Sequence, residues 1–151
     1  YRGLFVLKAF TKMYAIPGIR LGYGITYDKE LIVKMYDAGQ PWNVSVLAQN
    51  AGIAALDEDK FAADTVSLIS KEREFICTNF QRMNIKYWES DANYIFFMHK
   101  KGLKEELLNR GILIRDCSNY KNLTDGYYRI AIKSHKDNVK LIDALADIDI
   151  N

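Results

Sequence analysis

The feature that most restricts this fold is a change in hydrophobic period near residue 84. After Asp57, one helical pattern runs to about Met83 through Phe61, Val66, Leu68, Ile69, Phe75, Ile76 and Phe80. Beyond it the chain breaks into short alternations. Strands are expected over Ile85 to Trp88, Tyr94 to Met98, Ile112 to Arg115 and Tyr127 to Ile132, with helices over Leu103 to Asn109, closed by Gly111 as C′, and Lys136 to Ile148. Such a pattern makes a compact α/β unit. A helix as long as the one before it commonly bridges two lobes, the alternative being a long core helix.

Upstream, Gly3 to Leu7 and Leu21 to Thr26 have the content of strands, with an exposed loop between them that carries the turn signals Pro17 and Gly18. Asp28 opens a helix over Lys29 to Ala38, which Gly39 stops in the manner of a C-cap, and Pro41 adds a second break. Ser45 is the expected N-cap of a helix from Val46 to Leu56. No internal repeat, low-complexity tract or Pro/Ser linker divides the chain. It opens at Tyr1 rather than Met and runs at once into Leu4-Phe5-Val6-Leu7, which reads as part of a longer polypeptide.

With 151 residues, 49% hydrophobic and 26% charged, the chain can bury a core. Lys plus Arg exceed Asp plus Glu by only 21 to 19, too little for a basic surface aimed at nucleic acid or anionic lipid. Cys77 and Cys117 have no metal-ligand spacing and suggest no disulfide framework, and the apolar stretches are short. The expectation is a cytoplasmic protein without membrane or nucleic-acid partners.

The informative segment is Lys8-Ala9-Phe10-Thr11-Lys12-Met13-Tyr14-Ala15-Ile16-Pro17-Gly18-Ile19-Arg20-Leu21-Gly22-Tyr23. A lysine amine attacks an aldehyde only when neutral, which calls for a partly desolvated setting such as Phe10, Met13, Tyr14 and Ile16 offer. A guanidinium matches phosphate oxygens, a hydroxyl adds a hydrogen bond, and Gly18 and Gly22 allow tight turning and close approach. Lys12 alone would read as one more solvated lysine, and Arg20 as the start of a strand.

As a combination, the segment resembles the cofactor-lysine motif of the pyridoxal-phosphate (PLP) dependent aminotransferase superfamily of fold type I. The resemblance implies that Lys12 carries pyridoxal 5'-phosphate and serves as the proton-moving base, with Thr11 and Arg20 on the cofactor phosphate. Ala9 and Lys8 depart from the family pattern, which often has Ser or Thr and Arg there, so the phosphate cup is expected to differ.

Further stretches carry the same resemblance. Pro41-Trp42-Asn43-Val44-Ser45 looks like the segment that approaches the active site in threonine-phosphate decarboxylases and histidinol-phosphate aminotransferases, although Asn43 and Ser45 read equally as turn and cap residues. Asp91-Ala92-Asn93-Tyr94 resembles a segment whose asparagine, here Asn93, lies near the substrate carboxylate; a turn-forming Asn is the plain alternative. Arg115-Asp116-Cys117-Ser118, followed by Tyr128-Arg129-Ile130, resembles the decarboxylases most closely. By that correspondence Arg129 binds the substrate α-carboxylate or the group in its place, and Arg115 lies near the substrate phosphate. An arginine among apolar strand residues needs an anion, and an Asp or Glu of the chain is the alternative partner for each, Asp116 for Arg115 above all.

The fold class expected is therefore α/β with an α+β small domain. Residues 1–44 would end a fold type I PLP-binding large domain, 45–83 would be connecting helices, and 84–151 the carboxy-terminal small domain. The parent function implied is a PLP enzyme on a phosphorylated amino acid, with threonine-phosphate decarboxylase of cobalamin biosynthesis first and histidinol-phosphate or another class I/II aminotransferase second. A homodimer is expected of the full-length protein. In that family the aspartate on the pyridine nitrogen and the aromatic cover of the ring come from the domain preceding the lysine, so the isolated chain is also expected to be an inactive scaffold.

Overall fold

The computed structural model describes residues 3–150 and divides into two compact units, one up to Thr65 and one from Val66. In the first unit, β1 (Phe5–Ala9) leads directly into the helical turn α1 (Phe10–Met13), followed by a 3-10 turn at Pro17–Ile19 and by β2 (Gly22–Thr26). The strands pair antiparallel, from Phe5 opposite Thr26 to Ala9 opposite Gly22. The first strand thus ends two residues later than expected. The loop foreseen between the strands also contains a turn of helix, which Ala15 N–H closes onto the Lys12 carbonyl.

Helix α2 (Lys29–Ala38) starts at Asp28, whose carboxylate accepts from Leu31 N–H at 3.0 Å, and α3 (Val46–Leu56) at Ser45, whose Oγ accepts from Ala48 N–H at 3.2 Å. Gly39 ends α2 in an extended conformation, φ −77° and ψ 153°, not the left-handed one of a C-cap glycine. The short β1–β2 ladder leaves every residue of β1 exposed, so packing in this unit gathers around Phe10, 3% exposed, and Ala48 and Gly52 of α3.

Helix α4 (Asp59–Arg82) contains the division between the units. In the second unit, β3 (Tyr87–Trp88), β4 (Tyr94–Met98), β6 (Tyr127–Ala131) and β5 (Arg115–Asp116) form an antiparallel sheet in the order β3-β4-β6-β5, with α5 (Leu103–Leu108) and α6 (His135–Ile150). One sheet face carries Ile95, Phe97, Tyr128 and Ile130, packed with Ile76 and Phe80 of α4, Leu103 and Leu107 of α5, and Leu141 and Leu145 of α6. The Tyr128 hydroxyl escapes isolation by donating to the Lys100 carbonyl at 3.0 Å.

Two strands are shorter than their residue content suggests. Ile85 N–H is spent on the Phe80 carbonyl at the end of α4, and Ile112 N–H on the Leu107 carbonyl at the end of α5, so neither backbone is free to extend its strand. Gly111 takes the expected C′ role, with φ +72° and its N–H on the Leu108 carbonyl.

One buried carboxylate had no signal in the sequence pattern. Glu72 of α4 is 2% exposed, accepts from Asn138 Nδ2 at 2.9 Å, and lies 3.1 and 3.2 Å from His135 Nδ1 by its two oxygens. Asn138 also accepts from Lys133 N–H and donates to the Lys133 carbonyl, which fixes the entry of α6. Burial pushes the Glu72 carboxyl up, but hydrogen bonds from Asn138 and His135 and the charge of His135 bring it below its ordinary value.

Candidate active site

Lys12 sits on α1, so the turn of helix, not an open loop, presents the amine. Its base is secured by Phe10, whose ring lies 5.3 Å from Tyr14 and 5.6 Å from Tyr23, while Tyr14 stacks on Phe61 at 6.2 Å. Phe10 N–H donates to the Leu21 carbonyl at 3.2 Å and closes the lysine segment. These apolar residues pack inward or on one another, and Lys12 itself is exposed. The desolvation expected around the amine is not supplied by the described residues.

The two polar neighbours expected with Lys12 behave differently. Thr11 Oγ1 is buried and has no hydrogen-bond partner among the described residues. A buried hydroxyl left so costs about 1–3 kcal/mol, and an incoming acceptor such as a phosphate oxygen removes that cost. Arg20 lies in the left-handed region, φ 57° and ψ 45°, as does Ala15 at φ 53°. Each such residue without a glycine's freedom costs about 1–2 kcal/mol, strain of the kind that collects at functional loops. No ion pair involving Arg20 occurs among the described residues.

The glycines of this segment divide. Around Gly18 there is open space and no positive φ, so the tight turn expected there does not depend on it. Gly22 does need to be glycine, because a Cβ there would meet the Lys8 carbonyl oxygen at 2.8 Å. Thr11, Lys12 and Arg20 thus lie on one segment whose ends are locked by the Ala9–Gly22 pairing. A hollow of about 600 Å³ in this unit, lined by Phe5, Ile32, Met35, Tyr36 and Trp42 among others, contains none of them.

In the second unit, the outward face of the sheet has a row made by strand register. Trp88 pairs with Phe96, Phe96 with Arg129, and Arg129 with Arg115. Cross-strand partners share a face, so two guanidinium groups stand beside an aromatic patch. Trp88 lies 4.8 Å from Phe96, and Tyr127 stacks on Phe96 at 5.7 Å. A groove of about 480 Å³ is bordered by Trp88, Tyr94, Phe96, Cys117, Tyr120 and Arg129.

Neither arginine makes a direct ion pair with a carboxylate among the described residues, although, after the hydrogen bonds from Ser118, the charge of Arg115 helps to lower the Asp116 carboxyl. Arg115 Nη2 donates to Asn119 Oδ1 at 3.0 Å and its guanidinium lies 5.6 Å from the Tyr120 ring. Asp116 turns to its own loop and accepts from Ser118 N–H at 2.8 Å, and that amide and the Ser118 hydroxyl hold its carboxyl below the usual range. Arg129 is half-buried over the Tyr94 ring at 4.6 Å, with no carboxylate paired to it among the described residues.

Asn93 is exposed immediately before β4, and its carbonyl accepts from Ile132 N–H at 3.0 Å. Arg115 and Arg129 are therefore brought side by side, with Asn93 at the end of the same β4–β6 ladder. Sequence reasoning missed the aromatic residues of this face, above all Tyr94 and Trp88. Alternation along β4 and β6 was the signal available, since it places Tyr94, Phe96 and Arg129 opposite the core residues. Cys117 is fully buried; burial pushes its thiol up, against the pull of Arg129 and Arg115.

Known proteins share both the sequence and the architecture. The threonine-phosphate decarboxylase of Salmonella typhimurium is 35% identical over 149 residues, covering 96% of this chain and 41% of that protein. A histidinol-phosphate aminotransferase of Methanosphaera stadtmanae is 30% identical over 155 residues, covering 98% of this chain and 42% of that protein. The crystal structure of the histidinol-phosphate aminotransferase from Clostridium acetobutylicum superposes with a TM-score of 0.93 at 34% identity, over 100% of this chain and 47% of that one. The chain thus spans about two fifths of the length of these curated relatives. With the aminotransferase class I and II family matching residues 1–145, the chain belongs to that family, a fold type I lineage whose cofactor is pyridoxal phosphate.

Proposed function

We propose that this chain is the carboxy-terminal part of a PLP-dependent enzyme acting on a phosphorylated amino acid, and that its reaction is decarboxylation of threonine phosphate. The observation that carries this reading is the pairing of Arg115 with Arg129, two cations opposite each other on neighbouring strands with no carboxylate ion-paired to either among the described residues. Threonine phosphate has two anionic groups to offer such a pair. Histidinol phosphate itself has a phosphate and no carboxylate, so in an aminotransferase Arg129 would serve the carboxylate of the 2-oxo acid that accepts the amino group.

Lys12 would hold the cofactor, and Thr11 and Arg20 its phosphate; the unpartnered Thr11 hydroxyl fits that role. When bound, PLP supplies an electron sink for the bond broken at the substrate α-carbon. Of the chain's own residues, Arg129 orients the substrate carboxylate by parallel N–H donors, with Asn93 beside it. Arg115 takes the substrate phosphate, and the Lys12 amine moves the proton at the α-carbon. The proposed organisation is a large-domain end over 1–44, connecting helices over 45–83 and a small domain over 84–151, within a homodimeric cytoplasmic enzyme of cobalamin biosynthesis.

A second reading, histidinol-phosphate aminotransferase, is favoured by the 0.93 superposition and 34% identity quoted above. The complete protein carrying this chain, supplied with O-phospho-L-threonine, is expected to release carbon dioxide. Amino transfer from histidinol phosphate to an added 2-oxo acid without that release would establish the second reading instead. The 151-residue chain by itself is proposed to be scaffold. Added PLP should give it no absorbance band that Lys12→Ala abolishes, and such a band would refute that part.

A further inference from the structure

The Arg129 guanidinium lies 4.6 Å from the centroid of the Tyr94 ring, and both residues border the groove of the second unit. No carboxylate engages Arg129 among the described residues, so the ring is its electrostatic partner. The two kinds of partner use different parts of a guanidinium. A carboxylate takes the N–H donors in the plane of the group, whereas an aromatic ring attracts the charge through its π face and leaves donors available.

Tyr94 is well fixed for such a task. It opens β4 opposite Ala131, one diagonal step from Arg129, which is the reach of a long side chain and an aromatic ring on one sheet face. The preceding backbone is braced from two sides. Ile132 N–H donates to the Asn93 carbonyl at 3.0 Å, and Arg73 Nη2 donates to the Ala92 carbonyl at 2.7 Å.

We infer that Tyr94 is a positioning residue for carboxylate recognition: its ring holds the Arg129 guanidinium while leaving N–H donors free for the carboxylate of a bound amino acid. The ring does this, not the hydroxyl. This assignment rests on the reading of Arg129 as the carboxylate ligand. An acidic residue in the same place would hold the guanidinium too, but would consume the donors the ligand needs.

The test uses the complete protein labelled with ¹⁵N-arginine and freed of PLP, so that O-phospho-L-threonine is bound and not consumed, and isothermal titration with two probes. O-phospho-L-threonine carries a carboxylate; 1-aminopropan-2-ol phosphate is the same molecule without it. Tyr94→Leu is expected to shift the Arg129 Nε–H resonance, identified by its loss in Arg129→Lys, and to weaken O-phospho-L-threonine about tenfold. Binding of the second probe should stay unchanged, and Tyr94→Phe should restore both the resonance and the affinity. An unmoved resonance, equal weakening of both probes, or a Phe variant that behaves like Leu overturns the assignment. A wild-type protein that binds the two probes equally sinks the carboxylate reading, and this inference with it, before any Tyr94 variant is compared.

Discussion

Arg115 and Arg129 stand directly opposite each other across β5 and β6, two positive charges in register on one sheet face. Like charges so placed destabilise a strand pair until an anion lies near them. O-phospho-L-threonine is therefore expected to stabilise the protein, by about 1.4 kcal/mol at ten times its Kd. Thermal unfolding checks this, with Arg129→Gln expected to lose most of the gain. An equal gain in the variant would place the anion elsewhere.

Thr11→Val replaces a buried hydroxyl that has no hydrogen-bond partner among the described residues by a methyl of similar size. In the absence of PLP the variant should be as stable as the wild type, or more so by about 1 kcal/mol, since nothing is left unsatisfied. With PLP present the complete protein should bind it more weakly. A loss of stability in the apo protein, measured by urea unfolding, would contradict the vacant-acceptor account.

Gly22→Ala would set a Cβ 2.8 Å from the Lys8 carbonyl oxygen, a backbone atom that cannot turn aside. The expected cost is about 1–3 kcal/mol, as for other overpacked sites. It should appear as faster amide exchange along β1 and β2, whereas Gly18→Ala, with nothing within 4 Å, should exchange like the wild type.

Glu72 predicts the acid limb of stability. Its folded carboxyl titrates below the ordinary 4.5, so its contribution is full above that value and is lost as pH falls through the lowered one. Facing it are His135 and Asn138 of α6, with Lys71 beside it on α4. Urea midpoints measured downward from pH 6 should fall less steeply in Glu72→Gln than in the wild type. Parallel curves would remove Glu72 as the cause.

Much of the fold was legible because local signals and tertiary packing agree. Asp28 and Ser45 cap α2 and α3 as their side chains suggest, and β4 runs over the residues that alternation marks. Disagreement arose where helix ends claim backbone groups, at Ile85 and Ile112, because no propensity records where an N–H will be spent. Lys12, Thr11 and Arg20 were visible as a motif, but the exposure of Lys12 and the isolation of Thr11 Oγ1 are facts of packing. Tyr94 was hidden for a different reason: its contact with Arg129 joins residues 35 apart in sequence, which only the β4–β6 register brings together.

That register also polices itself. Along β6 the side chains alternate between Tyr128 and Ile130, which are buried, and Arg129, which faces outward. A slip of one residue against β4 would turn Arg129 into the apolar interior among Ile76, Phe80 and Leu145 and eject Tyr128 into water. Burying an unpaired guanidinium costs several kcal/mol, so misaligned pairings are rejected during folding. The charge proposed to recognise the ligand therefore also proofreads the alignment of the strands that carry it.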